Sequence, residues 1–172
     1  MAEWRSFTVG DSGQPEAPIG EVDEVAAKWG TQIEEFSLDR AEAIVKGDGL
    51  PYGRADFLVV TEIDGQRIQI HHEPQDCPWI QVEARLATDP AAKDLGDEGL
   101  QEIVNQWNSG HLEPTVFAVP ISQDHAIVMT CRFYVEHGVS DRQLHSMFRR
   151  SFIVTRQACR EIPEMIEAAL KS

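Results

Sequence analysis

The residues from which this chain can build a reaction centre are six histidines, three cysteines and 29 carboxylates. Histidine holds metals and moves protons near neutral pH, a cysteine thiolate attacks electrophiles, and paired carboxylates divide acid and base roles. Each of these jobs demands a particular spacing. His71 and His72 are neighbours on a predicted strand, so their side chains point to opposite faces and cannot chelate one ion. His111, His125 and His137 fall in or beside predicted turns, and His145 sits alone on the last predicted helix. There is no HExxH, no His-x-His and no paired-cysteine spacing, so no metal site is expected.

Cys77, Cys131 and Cys159 are widely spaced and form no CxxC, which fits buried free thiols in a reducing compartment. The pairs Asp23-Glu24, Glu34-Glu35 and Asp97-Glu98 read as solvated faces or helix starts. Phosphate loops of the GxxxxGK(S/T) and GxGxxG types are absent, and so is a GxSxG nucleophile turn. The expectation is a protein that is not an enzyme, with no catalytic residue, no metal and no cofactor.

The elements that would position any site follow from patterning. At 172 residues the chain is the size of one domain, and its 42% apolar content suffices for one core. No run of about 18 apolar residues occurs, so no membrane span is expected. No signal-like apolar stretch opens the chain, which places it in the cytoplasm. The net charge of −14 disfavours nucleic acid and anionic membranes as partners. Residues 1–100 carry 21 acidic and 8 basic side chains, whereas residues 101–172 carry 8 and 7. That unevenness serves solubility, or it steers a basic partner.

Residues 1–36 read as a flexible N-terminal tail or arm, with Gly and Pro in its first twenty residues and Val22, Val25, Trp29, Ile33 and Phe36 at helix-like spacing after them. Tryptophans at 4 and 29 argue that this arm docks on something. The domain proper is expected over 37–172. Ser37 caps a helix whose apolar positions are Leu38, Ala41, Ile44 and Val45, and Gly47 stands as its C-cap glycine.

Strands follow at 56–63 and 66–72, joined by the hairpin dipeptide Asp64-Gly65, and then at 79–87. In the last of these Ile80, Val82, Ala84 and Leu86 alternate with polar residues, so one face is wet and the strand is antiparallel. Leu100, Ile103, Val104 and Trp107 mark a second helix, which ends near Gly110. Trp79 and Trp107 both occupy core-compatible positions. Strands at 114–120 and 125–136 form another hairpin. A long helix begins at Ser140, with Leu144, Met147, Phe148, Ser151, Thr155, Ala158, Cys159 and Ile162 on one side; it bends or ends before Pro163, with a short tail helix to Leu170. The order is α-β-β-β-α-β-β-α: an α+β fold with a mainly antiparallel five-stranded sheet and helices on one face.

The most specific surface feature lies opposite the apolar stripe of the last helix. Arg142, Arg149, Arg156 and Arg160 fall close to one line, and Ile153 lies among them. Arginine suits interfaces and carboxylate recognition, so these five residues are the candidate interaction surface, between two copies or with the N-terminal arm. A solvated helix face is the alternative.

The stretch from Ser37 to Ile162 resembles the YbjN family. The residues that carry the likeness are SLDRAEAIVKGDGLPYG at 37–53, IDGQ at 63–66, EIVNQWNSGHLEPTVF at 102–117 and VSDRQLHSMFRRSF at 139–152. The resemblance implies a type III secretion chaperone-like fold, commonly paired into dimers. It also implies a non-catalytic protein, a candidate sensory-transduction regulator or chaperone-like module, and carries over no catalytic residues. The functional expectation is a protein-binding module that acts as a homodimer on an unidentified protein partner. The alternative is a small-molecule-sensing domain or enzyme with a pocket between sheet and helices.

Overall fold

The computed structural model describes residues 6–8, 28–72, 74, 77–88, 90–121 and 124–171. Its elements are β1 (Ser6–Thr8), α1 (Leu38–Gly47), β2 (Tyr52–Ala55), β3 (Leu58–Ile63), β4 (Gln66–His71), β5 (Trp79–Ala87), a 3-10 turn (Pro90–Leu95), α2 (Gly96–Gly110), β6 (Thr115–Ile121), β7 (Asp124–Tyr134) and α3 (Asp141–Leu170). The strands are ordered β1-β2-β3-β4-β5-β7-β6. The β1–β2, β2–β3, β3–β4 and β6–β7 pairs are all antiparallel. The fold is α+β, as the patterning predicts, but among the described residues the sheet has seven strands rather than five. The two missed strands are short. β2 reads Tyr-Gly-Arg-Ala, too few apolar residues to show alternation, and is identifiable only through its pairing with β3. β1 has three residues, Ser6 to Thr8, paired with β2. The rest of the arm up to residue 27 lies outside the described residues.

The chain divides into two units, Met1–Val82 with Arg132–Arg150, and Glu83–Cys131 with Ser151–Ser172. In the first unit, Ser37 caps α1 by accepting from the Arg40 amide at 3.3 Å, and Leu38, Ala41, Ile44 and Val45 are buried. The helix ends in a Schellman turn. Leu50 N–H reaches Val45 C=O at 3.2 Å, Gly49 N–H reaches Lys46 C=O at 3.0 Å, and Gly49 takes φ +74°. The terminating glycine is therefore Gly49 rather than Gly47. Gly47 instead lies against the strap of residues 28–36: a Cβ there would lie 2.6 Å from Cη2 of Trp29. α1 packs on β2 and β3. Asp64 and Gly65 adopt φ 53° and 75°, the left-handed pair that a type I′ hairpin requires. Trp79 is 47% exposed, not core. It precedes buried Ile80 by one residue, so it projects from the other face of β5, edge-on to Tyr134 with ring centres 5.0 Å apart.

In the second unit the core is apolar. Leu100, Val104 and Trp107 of α2, Val116 of β6, Ile127 and Met129 of β7, and Ala158 and Ile162 of α3 form one cluster. Trp107 is fully buried. Its indole N–H donates to Pro114 C=O at 3.2 Å, and its face stacks on His111 with ring centres 3.7 Å apart. Asn108 turns its amide to the outer edge of β6, accepting from Val116 N–H at 2.9 Å and donating to Val116 C=O at 2.7 Å. It stands in for a neighbouring strand, and Pro120 further along supplies no donor; both blunt an edge that would otherwise pair with another chain. The predicted wet face of β5 is only partly wet, since Glu83 is buried with Arg85 Nε 2.6 Å from its carboxylate.

Helix α3 runs unbroken to Leu170 with Pro163 inside it, where the sequence suggests a bend or stop. The lost backbone bond costs about 3 kcal/mol. Buried Ile162 and Ile166 on either side of the proline pack into the second unit's core and offset it.

Candidate interaction surface

The stripe expected of α3 is present. Leu144, Phe148, Ser151, Thr155, Ala158 and Ile162 are buried, and Met147 and Cys159 half-buried. Burial pushes the Cys159 thiol up to about 11, so it is a weak nucleophile; its sulfur lies 3.6 Å from Met129 Sδ. On the other side of the helix, Arg142 and Arg160 are exposed, and Arg149 and Arg156 are half-buried. Ile153 is 39% exposed. The five residues share one helix side, as the spacing predicts. Arg142 and Arg149 belong to the first unit, and Ile153, Arg156 and Arg160 to the second.

The start of α3 is capped by Ser140, as the sequence suggests, and is tied down further by Arg40, which sequence reading missed. Ser140 accepts from Gln143 N–H at 3.2 Å while the Gln143 side chain accepts from Ser140 N–H at 2.9 Å, a reciprocal cap. Arg40 of α1 reaches across to this cap. Its Nε donates to Asp141 Oδ1 at 2.8 Å, one terminal nitrogen to Val139 C=O at 2.6 Å, and the other to the carbonyls of Glu34 and Glu35 at 2.9 and 2.8 Å. One guanidinium thus clasps α1, the strap of residues 28–36 and the first turn of α3. Glu34 and Val139 also exchange backbone hydrogen bonds, and Arg142 N–H donates to Gly30 C=O at 3.0 Å.

His145 lies beneath that strap and is 1% exposed. Its Nε2 is 3.0 Å from Asp48 Oδ2, without the alignment of a hydrogen bond, and neither ring nitrogen has a hydrogen-bond partner. Lys28 Nζ is 3.3 Å from the other Asp48 oxygen and donates to Gly47 C=O at 2.7 Å. The Trp29 ring seals the group, 5.7 Å from the imidazole. Burial is the largest influence on His145 and lowers its proton affinity below the ordinary histidine range. Asp48 pulls the other way, and the Arg149 and Lys28 charges add to the lowering. The imidazole is therefore neutral at pH 7. One signal was available in sequence: His145 falls between Leu144 and Phe148, on the inner side of the helix. Its partner, one residue beyond a helix end, carried none.

Among the described residues no three His, Cys, Asp or Glu side chains converge as metal ligands. Among the described residues no helix is long and apolar enough to cross a membrane. His111 is committed to its stack on Trp107, and His125 Nε2 lies 2.9 Å from Asp97.

No family model matches the chain, and no curated protein matches it. Its fold is similar to the crystal structure of YbjN from E. coli, described as a candidate transcription regulator. The TM-score is 0.61 at 18% identity, over 77% of this chain and 93% of that one. The chain therefore has a YbjN-like fold.

Proposed function

We propose that the chain is a non-catalytic protein-binding module, regulatory or chaperone-like, that works in the cytoplasm as a homodimer and receives its protein partner on the outer side of α3. The observation that carries this reading is Ile153. It is a large apolar residue, 39% exposed, three residues before Arg156 and seven before Arg160 on a helix whose opposite side is buried. Apolar side chains framed by arginine are typical of contact surfaces. The acidic excess of residues 1–100 supplies a complementary surface for that side of α3 in a second copy. The YbjN-like fold supports a regulatory role, and the likeness of the YbjN family to secretion chaperones supports pairing. With a net charge of −14, regulation through protein contacts is the better fit than direct contact with nucleic acid.

Light scattering coupled to gel filtration tests the pairing: the wild type runs at twice the chain mass, and Ile153→Asp runs as a monomer. A wild-type monomer at every concentration would remove the homodimer. A protein partner captured by the wild type and lost on joint substitution of Arg149 and Arg156 by Glu supports the arginine side; undiminished capture would remove it.

A further inference from the structure

The second unit holds a cavity of about 380 Å3 between the end of β5, β7 and the last turns of α3. Leu86, Ile127, Pro163, Ile166 and Leu170 give it apolar walls, and its polar groups are Thr88 and Glu167. The volume is far above a packing defect and at the lower end of the small-molecule range, space for roughly ten non-hydrogen atoms.

The hydrogen-bonding character of the walls is one-sided. The Thr88 hydroxyl already donates to His125 C=O at 2.8 Å, so toward the cavity it can only accept. Glu167 presents a carboxylate, kept below the ordinary carboxylate range by the Lys171 ammonium bonded to it at 2.5 Å. Pro163, which lines the wall, has no N–H and so brings no backbone donor. Both polar side chains of the lining offer acceptors, and Lys171 is not among the residues that line the cavity. A ligand that fits must bring its own donors on an apolar body. A carboxylate or phosphate head would meet acceptors and a chain of net charge −14.

We infer that this cavity binds a small apolar amine, an aliphatic or aromatic body of about ten non-hydrogen atoms whose ammonium head pairs with Glu167 at the rim. This stands apart from the protein-binding reading, since none of the five α3 surface residues lines the cavity.

Calorimetry on the full chain with three probes of equal length tests it: octylamine, octan-1-ol and octanoate. Octylamine binds at least tenfold tighter than octanoate, with octanol between them. Glu167→Gln removes most of the amine's advantage and leaves octanol unchanged. Ala87→Phe, at an exposed position on the cavity lip, weakens amine and alcohol alike by tenfold or more. Octanoate binding as well as octylamine would overturn the proposal. So would amine binding undiminished in Ala87→Phe, which would mean adsorption to the acidic surface. An amine preference intact in Glu167→Gln would overturn the assignment of the head group.

Discussion

Both units bury apolar side chains, but two regions differ: the cluster around Trp107 in the second unit and the junction of α1, the strap and α3 in the first. In the second, Trp107, Leu100, Val104, Ile127, Met129 and Ile162 meet in one apolar cluster, the polar bonds of Asn108 sit at its margin, and Glu83, Thr130, Ser151 and Thr155 are buried as well. In the first, the junction of α1, the strap and α3 depends on polar groups inside: the Arg40 clasp, and His145 against Asp48 under Trp29. Apolar packing is non-directional, and its loss scales with the volume removed. A buried polar cluster depends on single atoms and on protonation. The Trp107 cluster should therefore respond to size, and the junction of α1, the strap and α3 to atom identity and pH.

The largest effect is expected from Trp107→Ala. It removes the biggest buried side chain of the second unit, along with its bond to Pro114 and the platform for His111. A loss of about 3–5 kcal/mol in denaturant unfolding is expected, and Trp107→Phe should recover a good part of it. If the phenylalanine variant is no better than alanine, volume is not what holds this unit.

Next comes Arg40. Replacement by Met keeps the apolar stem and removes four hydrogen bonds around a side chain only 15% exposed. Asp141 is partly in water, which discounts the ion pair, so the expected cost is about 2–3 kcal/mol. Arg40→Lys should rescue little, because one ammonium cannot reach acceptors arrayed around a planar fork. Near-complete rescue by lysine would show that charge, not geometry, makes the clasp.

That contrast also explains what could be read in advance. Features fixed by local rules were legible: the Ser37 and Ser140 caps, the Asp64-Gly65 turn, and the inner stripes of α2 and α3. They need only a residue's near neighbours. The clasp was not legible, since Arg40 and Asp141 are 101 residues apart and an arginine on a helix reads as a solvated face. Pro163 misled for a related reason. Its local cost is real, but the core contacts that offset it come from β7 and α2, distant in sequence. The arginine row and Ile153 were legible as a helix side because that too is a local property. The cavity, built from β5, β7 and the end of α3, is a meeting of distant segments, and nothing local announces it.

The pH response separates the units further. His145 has its proton affinity lowered in the folded state, so in the window below the ordinary value near 6.5 the unfolded chain binds more protons there than the folded one. Stability is full above that value and falls as the solution is acidified, by at most about 1.4 kcal/mol per pH unit from this group. The loss should appear first in amide exchange of the strap and the start of α3. His145→Met, which has similar bulk and no titration, should flatten it. An acid slope unchanged in that variant would place the sensitivity elsewhere.

The smallest change in stability with an informative local readout is Gly47→Ala. Two effects oppose each other. Alanine is the better helix former by about 1 kcal/mol. Its methyl would lie 2.6 Å from Trp29 Cη2 and 3.0 Å from Cζ2, so the indole must move. The ring is the far end of a strap, not a rigid wall, and it can shift; the net effect on global unfolding should stay within about 1 kcal/mol. The displaced ring loosens the cover on His145 and disturbs the Lys28 stack, now 5.0 Å from the ring centre. The indole N–H resonance of Trp29, assigned by its absence in Trp29→Phe, should therefore shift while that of Trp107 stays put. The acid sensitivity of the strap should fall in the same variant, because a wetter imidazole has less burial to oppose its protonation. A Trp29 resonance that does not respond would mean the strap is not seated on α1. The first unit's polar cluster would then be open to water rather than sealed, and its contrast with the second unit would lose its physical basis.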